Sequence, residues 1–294
     1  MYPFSYDEFI RAMGYTMLAD ELKNCSPEKP NSETLHSRCK RLLIEFMLIG
    51  GMPEVVAKYV ENGSLLDCQE ILEDITQTFY SDFAKYKKRA NVSLLREVFG
   101  AVIEQTGGKF TYSKASDTSN HLQIKESVEL LEMAGLIYPV THTSANGLPL
   151  SAEQNNKYRK YLILDTGIYQ RFLKLNLGGS FDPESIGQIN KGAFAELFAG
   201  LEIMKASPVN FPLSLHYWLR EKTGSNAEVD YVVQQGENIV AVEVKANTKG
   251  SMQSMFQFLA EKGYPYGIRS SMENFGTYQN IRVYPLYALS HVVS

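Results

Sequence analysis

Three charged residues set into two apolar, β-branched runs constrain this chain more than any other feature. Residues 229–233 and 239–244 flank the polar stretch 234–238, which contains Gly236. That is the pattern of a β-hairpin with a glycine in its turn. Asp230 interrupts the first strand, and Glu243 and Lys245 interrupt the second. Residues two apart on a strand share a face, so Glu243 and Lys245 point the same way. Charges in an apolar hairpin need a partner, a metal or water. Two carboxylates and a lysine at one spot suit a Mg²⁺ ion beside a lysine able to hold a phosphate or a water. The same three residues can also form an ion-paired ladder on a strand face.

The chain has 294 residues, enough for two or three domains and a sizeable core. Its net charge is −4, so nucleic-acid binding would have to come from local patches and not from an overall basic character. The three cysteines, Cys25, Cys39 and Cys68, are widely spaced and odd in number, which predicts reduced thiols in a cytoplasmic protein. The first residues lack the basic start and apolar core of a signal peptide. The most apolar stretch, 42–56, is broken by Glu45, two glycines, Pro53 and Glu54, and falls short of the ~20 apolar residues that cross a bilayer. No membrane association is expected, and oligomeric state is left open.

Three regions follow from the pattern. Residues 1–91 read as helical: Ser5 and Glu8 form a capping box, helices follow over 35–46 and 65–86, and Pro53 opens another after Gly50-Gly51. The short extended piece before Ser5 has nothing ahead of it to pair with, so a larger protein that has lost its front is expected. The basic run Lys87, Lys88, Arg89 is either a solvated helix end or a phosphate contact. Residues 92–176 have the order of a winged helix-turn-helix: helices over 94–105, 112–116 and 122–133, then strands over 134–140 and 160–164 with a polar loop between. The third helix carries Glu126, Glu129 and Glu132 against Lys125, a face that repels phosphate and does not suit DNA reading. Asp165-Thr-Gly matches the loop of aspartic proteases, but it occurs once, and Asp165 is expected instead to cap the next helix. After a connector at 177–190, residues 177–294 read as helix, three strands, helix, two strands: an α/β sandwich around a mixed sheet.

Glu196 on a helix, Asp230 on a strand, and Glu243-Val244-Lys245 on the next strand, 13 positions beyond Asp230, resemble the PD-(D/E)xK nuclease superfamily. A wider resemblance covers nearly the whole chain. It rests on Gly50-Gly-Met-Pro-Glu54, the segments 130–137 and 161–168, Gly192-Ala-Phe-Ala-Glu196, Tyr217-Trp-Leu-Arg220, Glu228-Val-Asp-Tyr-Val-Val233 and Val242-Glu-Val-Lys245. Together these are similar to the C-terminal region, a domain of unknown function, of bacterial and archaeal AAA-type ATPases. In that family an ATPase domain comes first, and residues 2–9 resemble its tail. No G-x-x-x-x-G-K-[ST] phosphate cradle occurs here, so ATP is expected only in a full-length relative. The resemblance implies an α+β chain of a helical region, a winged helix and a nuclease-like domain. It implies Mg²⁺ on Asp230, Glu243 and the Val244 carbonyl, helped by Glu196, with Lys245 orienting the attacking water. Trp218 and Arg220 would line a groove for nucleic acid, DNA before RNA, while Tyr217 and Tyr231 are equally suited to the core. The alternative is a non-catalytic nucleic-acid- or protein-binding module of the same fold.

Overall fold

Side-chain caps written into the sequence divide the first third into helices. In the computed structural model, which describes residues 2–86, 91–174, 191–207, 214–222, 224–247 and 250–293, α1 (Tyr6–Ala12) starts at the Ser5/Glu8 capping box. A short α2 (Thr16–Leu22) follows, unannounced by any side-chain cap. Ser32 caps α3 (Glu33–Ile49), which stops at Gly50; Pro53 opens α4 (Pro53–Asn62), and Ser64 caps α5 (Leu65–Asp82). A 3₁₀ turn, Phe83–Tyr86, continues α5. The basic run Lys87, Lys88 and Arg89 and the connector 177–190 lie outside the described residues.

Asn91 caps α6 (Val92–Glu104), and an Asn120/Gln123 capping box starts α7 (His121–Met133). The strands β1 (Ile137–Thr143) and β2 (Gln154–Ile163) then pair antiparallel, Ile137 opposite Ile163. Both run further than the apolar residues alone suggest, because polar residues such as Thr143 and Gln154 still find backbone partners across the pair. After α8 (Thr166–Phe172) and α9 (Lys191–Lys205) come β3 (Leu215–Leu219), β4 (Glu228–Gln235) and β5 (Asn238–Val244). Helix α10 (Gln253–Lys262) precedes β6 (Gly267–Ser271), β7 (Gly276–Tyr278) and β8 (Ile281–Pro285). The three-residue β7 is too short to leave an alternating pattern in the sequence.

All eight strands form one mixed sheet in the order β2-β1-β3-β4-β5-β6-β8-β7. The fold is therefore mixed α+β, with β1 lying parallel to β3 and carrying the β1–β2 pair into the same sheet as the later strands. One buried cluster runs from Tyr6 and Phe9 to Leu289 and Val292, and Phe46 of α3 meets Phe198 of α9 edge-on at 6.3 Å.

Two sequence signatures meet at Asp165. Its side chain caps α8 by accepting from the Ile168 N–H at 3.1 Å, as expected, and also accepts from the Gly51 N–H at 2.7 Å. The contact is close enough to require glycine: a Cβ on Gly50 would stand 2.0 Å from Asp165 Oδ1, and one on Gly167 2.3 Å from the Ile49 carbonyl oxygen. Gly50 also has φ = 74°. The Gly-Gly break and the Asp-Thr-Gly turn are thus two sides of one helix junction, and Asp165 is a structural acceptor.

Candidate functional site

The acids predicted from the sequence gather around the end of the β4–β5 hairpin, but they do so from two sides of the sheet. In β5, Val240, Val242 and Val244 pack into the large core, whereas Ile239 and Ala241 pack with Met255 and Phe258 of α10. Alternation puts Glu243 and Lys245 on the α10 side. Strand β4 does not alternate cleanly. Its pairing with β3 slips between His216 and Trp218, and Val229 and Val232, three apart, both join the α10-side cluster. A bulge of this kind re-aims a side chain. Tyr231 is turned toward α9, where its Oη donates to the Glu196 carbonyl at 2.7 Å. Asp230 lies within β4, just beyond the last β4–β5 pair, and its Oδ2 accepts from the Val244 N–H at 2.7 Å. Extending the Tyr231–Val242 register places Asp230 opposite Glu243.

Helix α9 is covered on nearly all sides, so Glu196 is 9% exposed and is not a solvent-facing charge. Its partner is a residue absent from the sequence reasoning: Lys160 of β2, 2% exposed, whose Nζ donates to Glu196 Oε1 at 2.8 Å and also ion-pairs with Glu228. The ammonium lies 5.0 Å from the centre of the Tyr217 ring. Lys160 follows a polar loop in a strand whose other charged residues are exposed or half-buried, so nothing in its neighbours marks it as buried. On the other side, Lys245 Nζ donates to Glu243 Oε1 at 2.6 Å.

The electrostatics follow from this layout. Burial lifts the Glu196 carboxyl; Lys160 opposes the lift and Asp230 adds to it, leaving it at about 8. Burial and then Asp230 push Glu243 up to about 7, against the pull of Lys245. Asp230 is raised by burial, with Lys160, the Val244 N–H and Lys245 pulling the other way. Burial alone would lower Lys160, but Glu196, Glu228 and Asp230 outweigh it and raise its pKa. Four carboxylates (Glu196, Glu228, Asp230 and Glu243) thus face two ammonium groups, a surplus of two negative charges when all are ionised.

Such a surplus, made wholly of hard oxygen donors, suits a divalent cation such as Mg²⁺ in chemical type. Glu243 supplies one free position, since its buried Oε2 has no hydrogen-bond partner. The positions fit less completely. Among the described residues no three His, Cys, Asp or Glu side chains are grouped to hold an ion. Lys160 ties Glu196 to one side while Lys245 ties Glu243 to the other. The residues that fit a cation are therefore Asp230 and Glu243, with the adjoining Val244 carbonyl, and Glu196 stands apart from them.

Of the residues expected to meet nucleic acid, Trp218 is misplaced for that role. It is 3% exposed and packs edge-on to Phe258 at 5.1 Å, so the indole belongs to the core. Arg220 stays at the surface, ion-paired with Glu261, and lines a polar cavity of about 520 Å³ with Lys222, Asn226, Ser254 and Gln257. That cavity adjoins the acids: the Glu228 N–H donates to Ser254 Oγ at 3.4 Å. Tyr217 and Tyr231 are fully buried.

Two family models match the chain, both described as domains of unknown function: DUF8612 over residues 40–178 and DUF4143 over residues 191–289. No curated protein and no solved structure matches it. No helix among the described residues is long and apolar enough to cross a membrane.

Proposed function

We propose that this chain is a nuclease-like module of an AAA-type ATPase system, in which the Asp230–Glu243 site takes Mg²⁺ and acts on nucleic-acid phosphodiesters. The observation that carries the reading is the buried surplus of two carboxylates beside Lys245, with Glu243 Oε2 left without a partner. The matched domain over 191–289 is usually found in proteins associated with AAA-type ATPases, which supports the context. The winged-helix reading of 92–176 is supported by the order α6, α7, β1, β2.

In this reading Asp230 and Glu243 hold the cation, and Lys245 orients a water or steadies the charge that develops on the phosphate. A bound Mg²⁺ supplies Lewis acidity toward the phosphate and lowers the pKa of an attacking water. Arg220 and Lys222 flank the adjoining polar cavity and hold the strand by its phosphates. The chain itself carries no ATPase chemistry in this reading.

The pairing of Lys160 and Lys245 with the acids favours a second reading, a non-catalytic binding module whose charged centre is structural. Metal-dependent cleavage of single- and double-stranded DNA and RNA separates the two. The nuclease reading expects Asp230→Asn and Lys245→Ala to abolish cleavage with the fold intact. Cleavage unchanged in both variants, or none by the unaltered chain with Mg²⁺ or Mn²⁺, refutes it.

A further inference from the structure

The acid cluster is assembled from both halves of the chain. Glu196, Glu228, Asp230 and Glu243 lie within the segment matched over 191–289, whereas Lys160 lies within the segment matched over 40–178. Strand β2 is at the edge of the sheet, two strands from β3, and it brings an ammonium 2% exposed into contact with Glu196 and Glu228. A lysine is strongly hydrated and is not buried without partners. Here two carboxylates and the face of Tyr217 replace its water. Without it, the later segment would hold four acids against Lys245 alone.

We propose that Lys160 is the resident cation of this composite site: its ammonium holds Glu196 and Glu228 when no metal is bound and competes with a divalent ion for the acid cluster. The inference rests on the reading of Asp230 and Glu243 as a cation site. Lys160 is then a positioning residue that holds Glu196 on the α9 side of the sheet, apart from Glu243. Lys160 also acts through space on Asp230, one of the ion's two carboxylates, and a positive charge acting there in partly buried surroundings weakens divalent binding through Coulomb repulsion. The first matched segment therefore sets the cation affinity of the second.

The test is calorimetry of the full chain with Mn²⁺ alone, at fixed pH and ionic strength, comparing the unaltered protein with Lys160→Met. Mn²⁺ is expected to bind Lys160→Met at least tenfold more tightly. Because Lys160→Met leaves two buried carboxylates unpaired and can fail to fold, the comparison is repeated in a Glu228→Gln background, where one of those charges is gone. There too, adding Lys160→Met is expected to tighten Mn²⁺ binding at least tenfold. A merely structural lysine would lower the melting temperature and leave the affinity unchanged. Equal or weaker binding after loss of Lys160 overturns the inference while leaving the cation site standing. No Mn²⁺ binding by any of the four proteins removes the cation site itself, and the inference with it.

Discussion

Replacing Asp230 with asparagine should make the protein more stable in mild alkali, which is the opposite of what deleting a buried hydrogen-bonded acid usually does. Glu243 is raised from 4.5 to about 7 and Glu196 from 4.5 to about 8, each first by burial and with Asp230 among the causes. A carboxyl raised in the folded state keeps a proton there that the unfolded chain has already lost. Its contribution is therefore intact below about pH 4.5, is lost as pH rises, and levels off above about 7 for Glu243 and about 8 for Glu196. At ~1.4 kcal/mol per pH unit, the Glu243 shift alone corresponds to about 3 kcal/mol across that window. Two carboxylates on facing strand positions, ~6 Å apart, repel by about 3 kcal/mol at an effective dielectric near 20, an upper figure for what Asp230 contributes. Asparagine removes that charge and keeps an oxygen for the Val244 N–H. Urea unfolding at pH 5, 6, 7 and 8 should show near-equal stability at pH 5, where Glu243 and Glu196 hold their protons and offer Asp230 no charge to repel, and a gain for Asp230→Asn that grows to roughly 1–3 kcal/mol by pH 8. Mg²⁺ should stabilise the unaltered chain at pH 8 and the variant much less. A difference that stays flat between pH 5 and 8, or a variant less stable at pH 8, would mean that the acids do not repel one another and that the charge surplus is not real.

Two further outcomes test the helix junction. Asp165→Asn keeps one acceptor but turns an amide N–H₂ toward the Gly51 or Ile168 N–H, so urea midpoints should fall by an amount equivalent to about 1–3 kcal/mol. Gly167→Ala forces a methyl group to 2.3 Å from the Ile49 carbonyl oxygen and should cost about 2 kcal/mol or more, or prevent folding. Gly192→Ala in α9 meets nothing within 4 Å and serves as the control, with a gain of up to ~1 kcal/mol in thermal unfolding. Equal effects at Gly167 and Gly192 would show that the close packing at Gly50 and Gly167 is not what holds α3, α4 and α8 together.

What was readable from the sequence follows the range of the interactions involved. Ser5, Ser32, Ser64, Asn91, Asn120 and Asp165 act on N–H groups two or three residues away, so their helices could be placed from local pattern. The β4–β5 hairpin was equally local, since its register is set by a two-residue Gly236-Glu237 turn between Gln235 and Asn238. Lys160 and Glu228 were not readable, because nothing within a few residues of Lys160 reports that it will lie beside a helix 36 positions later. The slip in β4 was unreadable for the same reason. Period-2 alternation is a property of one strand, but the slip in β4 is imposed by its pairing with β3. Such a slip can therefore bring Glu228 to one side of the sheet and leave Glu243 on the other.

That slip also explains why Glu196 and Glu243 lie apart and are joined through Asp230 and Glu228. The charges acting on Glu196 are Lys160, Asp230 and Glu228; those acting on Glu243 are Asp230, Lys245 and Glu228. Asp230, with its carboxylate on the Val244 N–H, feels both Lys160 and Lys245. Any cation that binds Asp230 and Glu243 must therefore be felt by Lys160 through Asp230, and any movement of the β1–β2 pair that withdraws Lys160 must be felt by the cation. Asp230 and Glu228 both act on Glu196 and on Glu243, and Asp230 in addition feels both lysines, which is why its substitution is the sharpest probe of how metal binding and the packing of the first half of the chain act on each other.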